Sequence, residues 1–184
     1  MYEFQVSLTE EDYVDFNIHH AFYAPQSKQT MRVGRWILPV MLLLLFLVAT
    51  NSASFEEKLV PGAFLAIILL CWVVFFKKIM MRSIKKRIQK MKAVGKLPYS
   101  ETTCVQFHED YIIDISEDLE VKAAYTKIER IAIAPTATYV YCSVMQAFIL
   151  PDKMFSDTAD RLSLLRFLEE KTGKTPEVWG TREA

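Results

Sequence analysis

The chain has 184 residues, an apolar fraction of 52% and equal numbers, 22 each, of basic and acidic side chains. Five glycines and three cysteines without metal-type spacing leave no glycine-rich phosphate loop, nucleophile elbow, Cys-x-x-Cys motif or zinc cluster. The zero net charge conceals a basic centre between acidic ends, so the distribution of charge carries more information than its sum.

Tyr2, Phe4, Val6 and Leu8 alternate with Glu3, Gln5 and Ser7, the period of a half-buried strand that needs a sheet to join. Thr9 opens Thr-Glu-Glu-Asp, a capping-box-like start with acids in the first turn. Tyr13, Phe16, His20 and Tyr23 follow at helical spacing beside Val14, Ile18 and Phe22, up to Pro25. This aromatic face suits either packing on a folded domain or the headgroup layer of a membrane, and packing is the preferred reading.

Two uncharged runs come next, Trp36 to Phe55 and Leu59 to Phe76, separated by Glu56, Glu57 and Lys58. Each is long enough to cross roughly 30 Å of hydrocarbon at about 1.5 Å per helical residue. Lys28, Arg32 and Arg35 precede the first run, and Lys77, Lys78, Arg82 and further basic residues up to Lys96 follow the second. Basic flanks on both outer sides predict a two-pass hairpin with both termini cytoplasmic and a short outer loop around Asn51 to Lys58. The acid-rich residues before the first run, and a following loop without a small-x-small cleavage pattern, argue against a removable signal peptide. No ionisable residue lies inside either run, which argues against a transporter core.

Pro61, followed by Gly62, is expected to open the second helix, and past the apolar run no Gly or Pro interrupts it to about Val94. Beyond the apolar run it carries Met81, Ile84, Ile88 and Met91 on one stripe, with cations over the remainder: a basic amphipathic stalk. Lys85, Lys86, Arg87 and Lys90 are the candidate contacts for anionic lipid headgroups, against the plainer reading of an orientation signal whose stripe packs on the domain or on a second copy. Nucleic acid is not an expected partner, because no aromatic stacking platform is interleaved with the charges.

From Thr102 onward the pattern is a meander. Val105 and Phe107, then Tyr111, Ile113 and Ile115, then Val121, Ala123 and Tyr125 alternate between the turns His108-Glu109-Asp110 and Ser116-Glu117-Asp118. Ile131 and Ile133, Tyr139 and Tyr141, and Phe148 and Leu150 complete six strands. Asp157 caps a last helix with Leu162, Leu165 and Leu168 as its face and Thr172-Gly173 as its end. The N-terminal strand brings the count to seven strands and one covering helix. The resulting fold class is an α+β membrane protein, with the hairpin inserted between an N-terminal strand and helix and an antiparallel sheet capped by a C-terminal helix. Its segments are 1–35, a cytoplasmic strand and amphipathic helix; 36–76, the hairpin; 77–101, the stalk; and 102–184, the strand-rich domain.

In this order, Leu8-Thr9-Glu10-Glu11-Asp12-Tyr13, a two-helix hairpin, Tyr125-Thr126-Lys127-Ile128 and Phe148-Ile149-Leu150-Pro151-Asp152-Lys153-Met154-Phe155 resemble the YcxB-like family over nearly the whole chain. The resemblance implies a bacterial plasma-membrane protein whose C-terminal region looks like a pleckstrin-homology-type domain. It implies no reaction, cofactor or ligand.

Catalytic constellations are poor. His19 and His20 are adjacent and point apart on a helix, without the i, i+4 geometry of a metal pair, and His108 stands alone. Glu10, Glu11 and Asp12 suit a helix start, and Glu109 and Asp110 suit a turn. Cys71, Cys104 and Cys142 read as small hydrophobes. The expectation is therefore a non-enzymatic, cofactor-free binding or regulatory module tethered to the membrane. The alternative is an accessory subunit of a transporter or envelope complex, acting through the hairpin. Expected partners are the lipid bilayer and a protein partner or second copy.

Overall fold

The structure, a computed structural model, describes residues 2–96, 99–117 and 119–180. Pro98 and Asp118, expected at a helix stop and a turn, lie outside them. The chain is α+β and divides into two compact units, Met1–His19 with Ile88–Ala184, and His20–Arg87.

In the first unit the N-terminal alternation becomes β1 (Tyr2–Ser7), which pairs antiparallel with β2 (Thr102–Phe107) in the register Tyr2↔Phe107 to Ser7↔Thr102. β3 (Tyr111–Ile115) and β4 (Glu120–Ala124) extend this sheet in the order β1-β2-β3-β4. The second sheet has the order β7-β6-β5-β8, built from β5 (Arg130–Ile133), β6 (Ala137–Tyr141), β7 (Ala147–Pro151) and β8 (Glu177–Val178). Phe107, Ile112, Ile131, Tyr139 and Leu150 are fully buried.

Helix α1 (Glu10–Tyr23) starts as its sequence dictates: the Thr9 N–H donates to the Asp12 carboxylate at 2.8 Å, and the Asp12 N–H donates to the Thr9 hydroxyl at 3.2 Å. Its aromatic face packs inward, Phe16 lying 5.2 Å from the Tyr139 ring and 6.0 Å from Tyr141. The closing helix α4 (Thr158–Thr172) is capped by Asp157 and stopped by Gly173 at φ 64°, a left-handed conformation that glycine adopts without steric cost.

Four sequence expectations shift. The expected inward row of β3, Tyr111, Ile113 and Ile115, is out of phase: Val105 faces Asp114 and Phe107 faces Ile112, which puts Ile112 and Asp114 on the inner side. Ile112 and Ile113 are adjacent and both are buried, one on each face of the strand. Tyr125 ends the strand pattern in a single 3-10 turn (Tyr125–Lys127). On α4 the buried residues are Leu164 and Leu168, while Leu162 is exposed, because Phe167 turns towards Tyr2 (5.4 Å) and Tyr125 (5.7 Å) and fixes the helix's rotation. Finally, β8 was not anticipated. It is only two residues long, it runs parallel to β5, and Trp179 beyond it is buried against Tyr141 at 5.5 Å.

The second unit contains α2 (Pro25–Ala49) and most of α3 (Phe55–Ala93). α2 begins at Pro25, where the absent N–H costs no helical bond, so residues 25–35 are helical and continuous with the first apolar run. α3 begins at Phe55, two turns before the expected Pro61. Ser54 and Glu57 form a reciprocal capping box, the Ser54 N–H donating to the Glu57 carboxylate at 2.7 Å, and this local gain outweighs the one bond Pro61 forgoes inside the helix. The link between helices is consequently shorter than the sequence suggested, Thr50 to Ser54. The Trp72 indole N–H donates to the Arg35 carbonyl at 3.1 Å and ties the two helices together. Both are long and apolar enough to cross a membrane, and only 6% of the most apolar stretch of each is buried.

Trp179→Ala is expected to destabilise the protein by about 3–5 kcal/mol, since it empties a large aromatic site in the core. Glu177→Gln, which removes the charge of the 3.3 Å surface ion pair with Arg130 but keeps a carbonyl oxygen able to accept from the Trp179 indole N–H, is expected to cost less than about 1 kcal/mol. Denaturant titration of the detergent-solubilised chain, followed by circular dichroism, separates the two.

Candidate functional site

The inner phase of β3 has a chemical consequence. The register Val105↔Asp114↔Val121 carries a carboxyl across the face that buries Val105. The Thr103 hydroxyl, itself buried, donates to the Asp114 carboxylate and also lies 3.1 Å from the Ile115 carbonyl. Loss of water around the carboxyl pushes its pKa up to about 6.

Thr103, Asp114 and Val121 form one wall of a cleft of about 270 Å³; Cys142 and Phe148 stand on the other, and Tyr13 and Phe16 of α1 line it too. The register of the first sheet positions the carboxyl, and the capping box of α1 positions the aromatic rings. At the rim, Leu119 on the β3–β4 turn and Met145 on the β6–β7 turn are 62% and 76% exposed. The β6–β7 turn is held by Cys142 N–H to the Gln146 carbonyl (3.0 Å) and Gln146 N–H to the Ser143 hydroxyl (3.1 Å). The site thus combines an apolar, partly aromatic lining, two exposed apolar residues at the mouth and one carboxyl inside.

Among the described residues no lysine, arginine or histidine lines the cleft. Asp114 therefore has no cationic neighbour there, and a ligand supplying an ammonium, guanidinium or N–H group would be held by a charge-assisted hydrogen bond and would draw the carboxyl back towards ionisation. The volume lies just below the roughly 300–1,000 Å³ of drug-sized pockets, which fits a single side chain or a small amine. Among the described residues no three His, Cys, Asp or Glu side chains gather into a metal-binding group.

The residues singled out by sequence fall elsewhere. Lys85, Lys86, Arg87 and Lys90 are all exposed on α3. At about 100° per residue Lys86, Lys90 and Arg87 fall within one arc of about 100° and share a face, while Lys85 lies about 100° to the side of Lys86. His19 bonds the Asp15 carbonyl through Nδ1 at 2.8 Å, and His108 stacks on Tyr111 at 4.6 Å. Burial raises Asp12, but hydrogen bonds from Lys153 and Thr9 outweigh it and hold its carboxyl below the ordinary range; Glu10 pairs with Lys92 at 3.4 Å. Asp114 itself was hidden by the phase of its strand. The one sequence signal for it was an acid inside the apolar string Tyr-Ile-Ile-Asp-Ile.

Comparison with known protein families, with curated proteins and with solved structures finds no match to this chain.

Because the folded state binds the Asp114 proton more tightly than the unfolded chain does, stability contributed by the neutral carboxyl is fully present below 3.8 and is lost as pH rises through about 6. Asp114→Asn is expected to remove this loss. Melting temperatures of the solubilised protein from pH 4 to pH 7 should show the variant gaining on the wild type with rising pH, and parallel curves would refute the assignment.

Proposed function

We propose that the chain is a membrane-tethered binding module, with α2 and α3 as a two-pass anchor and the two-sheet unit held at the cytoplasmic face, where its cleft takes a basic or amide-bearing group of a protein partner. The observation that carries the reading is the cleft itself, an apolar pocket with exposed Leu119 and Met145 at its mouth and an unneutralised carboxyl within. Tethering raises the effective concentration of a small site towards membrane-bound partners, so a modest pocket suffices.

Support for the anchor is physical. A soluble core helix hides its apolar side chains, whereas Trp36, Leu44, Phe64 and Leu70 are each at least half exposed. Hydrocarbon is the solvent that makes such exposure favourable. The β1–β2 pairing adds a constraint: residues 2–7 and 102–107 share one sheet, so a chain that leaves their side of a bilayer through α2 must return to it through α3. The basic flanks favour the cytoplasm as that side. A four-stranded sheet followed by a second sheet and a closing helix agrees with the pleckstrin-homology-like architecture that the YcxB-like resemblance implies, and Lys85, Lys86, Arg87 and Lys90 then flank the anchor near anionic headgroups.

The accessory-subunit reading draws on the same exposed helix surface, which a second membrane protein would cover as well as lipid does. Photo-crosslinking amino acids at Leu119 and Met145, and separately at Leu44 and Ile67, distinguish the two in native membranes of cells making the full chain. Protein adducts from the cleft mouth are expected; adducts confined to the helix positions would favour the accessory subunit and reject the module. Replacing Lys85, Lys86, Arg87 and Lys90 together with Gln is expected to weaken the purified protein's preference for anionic over neutral liposomes, and an unchanged preference would remove them as headgroup contacts.

A further inference from the structure

A hollow of about 520 Å³ between α2 and α3 is lined by Lys28, Arg32 and Arg35 from one helix and Lys77 from the other, with Trp36 and Phe76 beside them. Residues 28, 32 and 35 follow the i, i+4, i+7 spacing of a single helix face, so their charges point the same way. Among the described residues no acid lines the hollow, and the sequence has none between Asp15 and Glu56 or between Glu57 and Glu101. None of the four cations appears in an ion pair among the described residues. Four like charges around one concavity repel one another, and an anion bound among them relieves the repulsion. Two guanidinium groups favour an oxyanion that accepts paired hydrogen bonds, above all a phosphate.

Next to this hollow, sharing Trp36 and Val73 with it, runs a second one of about 450 Å³ that is almost wholly apolar. Pro39, Val40 and Leu43 line it from α2, and Ala66, Leu69 and Leu70 from α3. From Trp36 to Leu43 the trough extends about 10 Å at 1.5 Å per residue, enough for a good part of an acyl chain. Trp36 stands at the junction, the level at which indoles partition between headgroups and hydrocarbon.

We infer that this composite trough seats one anionic glycerophospholipid, its phosphate among Lys28, Arg32, Arg35 and Lys77 and an acyl chain along Pro39, Leu43 and Leu70. Charge complementarity selects the headgroup, and the continuity of the cationic mouth with the apolar trough selects a lipid over a soluble phosphate ester, which would leave the trough empty. The inference rests on the reading that α2 and α3 cross a bilayer, and it differs from a general attraction of the stalk to anionic surfaces in specifying one lipid held between the helices.

Native mass spectrometry of the full-length protein in mild detergent, titrated with phosphatidylglycerol or phosphatidylcholine, tests it. The wild type is expected to retain a single phosphatidylglycerol about tenfold more readily than phosphatidylcholine, as one or two charge-assisted hydrogen bonds allow. Arg32→Gln with Arg35→Gln should abolish the preference. Ala66→Trp, which fills the trough without altering charge, should reduce retention of both lipids, whereas the four-Gln stalk variant should retain phosphatidylglycerol as the wild type does. Equal retention of the two lipids by the wild type, retention undiminished in both trough variants, or displacement by equimolar glycerol 3-phosphate would overturn the inference. Alkaline carbonate extraction of the same cells keeps the failures apart: release of the wild-type chain from membranes would reject the bilayer reading, while a chain that resists extraction yet holds no lipid selectively would reject only the lipid site.

Discussion

The pairing of β1 with β2 is the constraint on which the rest of the molecule depends. It joins residues on either side of the two long helices, so the two-sheet unit is assembled from both ends of the sequence and the helices form an insertion within it. Val6 and Phe107 are buried as a result, and β1 brings Tyr2 and Phe4 against Phe167 and Phe155, at 5.4 and 5.5 Å, near the closing helix. Without β1, β2 would be an edge strand with unpaired amide groups, and α1, which follows it directly, would lose the connection that sets Tyr13 and Phe16 beside the cleft.

The two hollows divide the chemistry of the chain between them. Among the described residues one is an apolar cleft with a carboxyl and no cation; the other is a cationic mouth with no acid, opening onto apolar walls. No opposite charge lines either hollow among the described residues, and the two signs are opposite. On the readings proposed above, the two-sheet unit takes basic or amide groups and the helical unit an acidic lipid.

Much of the architecture was legible from pattern alone. Capping residues Thr9 and Asp157, the stop at Gly173 and the period-2 strands all act through local chemistry, and local chemistry is what a sequence displays. The errors lie where a tertiary contact decides between local alternatives. Either phase of Ile112 and Ile113 satisfies a strand, and only pairing with Val105 and Phe107 turns Asp114 inward; Leu162 and Leu164 are equivalent by composition until Phe167 fixes the rotation of α4. β8 has too few residues for any periodicity, and its place depends on Trp179 finding Tyr141. For the candidate sites the same holds: cations clustered in sequence at 85–90 drew attention, while those that surround a hollow come from two helices more than forty residues apart.

The insertion also orders events in time. β1 leaves the ribosome first, yet its partner β2 is synthesised on the order of ten seconds later at about 5–20 residues per second, after both long helices have been made. During that interval Tyr2, Phe4 and Val6 have no β2 to pair with, and the sheet closes only when the two flanks of the helices come together. A chain whose two flanks were kept apart would leave β2 as an open edge. If α2 and α3 cross a bilayer as proposed, strand pairing is also a check that the chain has returned to the side it left.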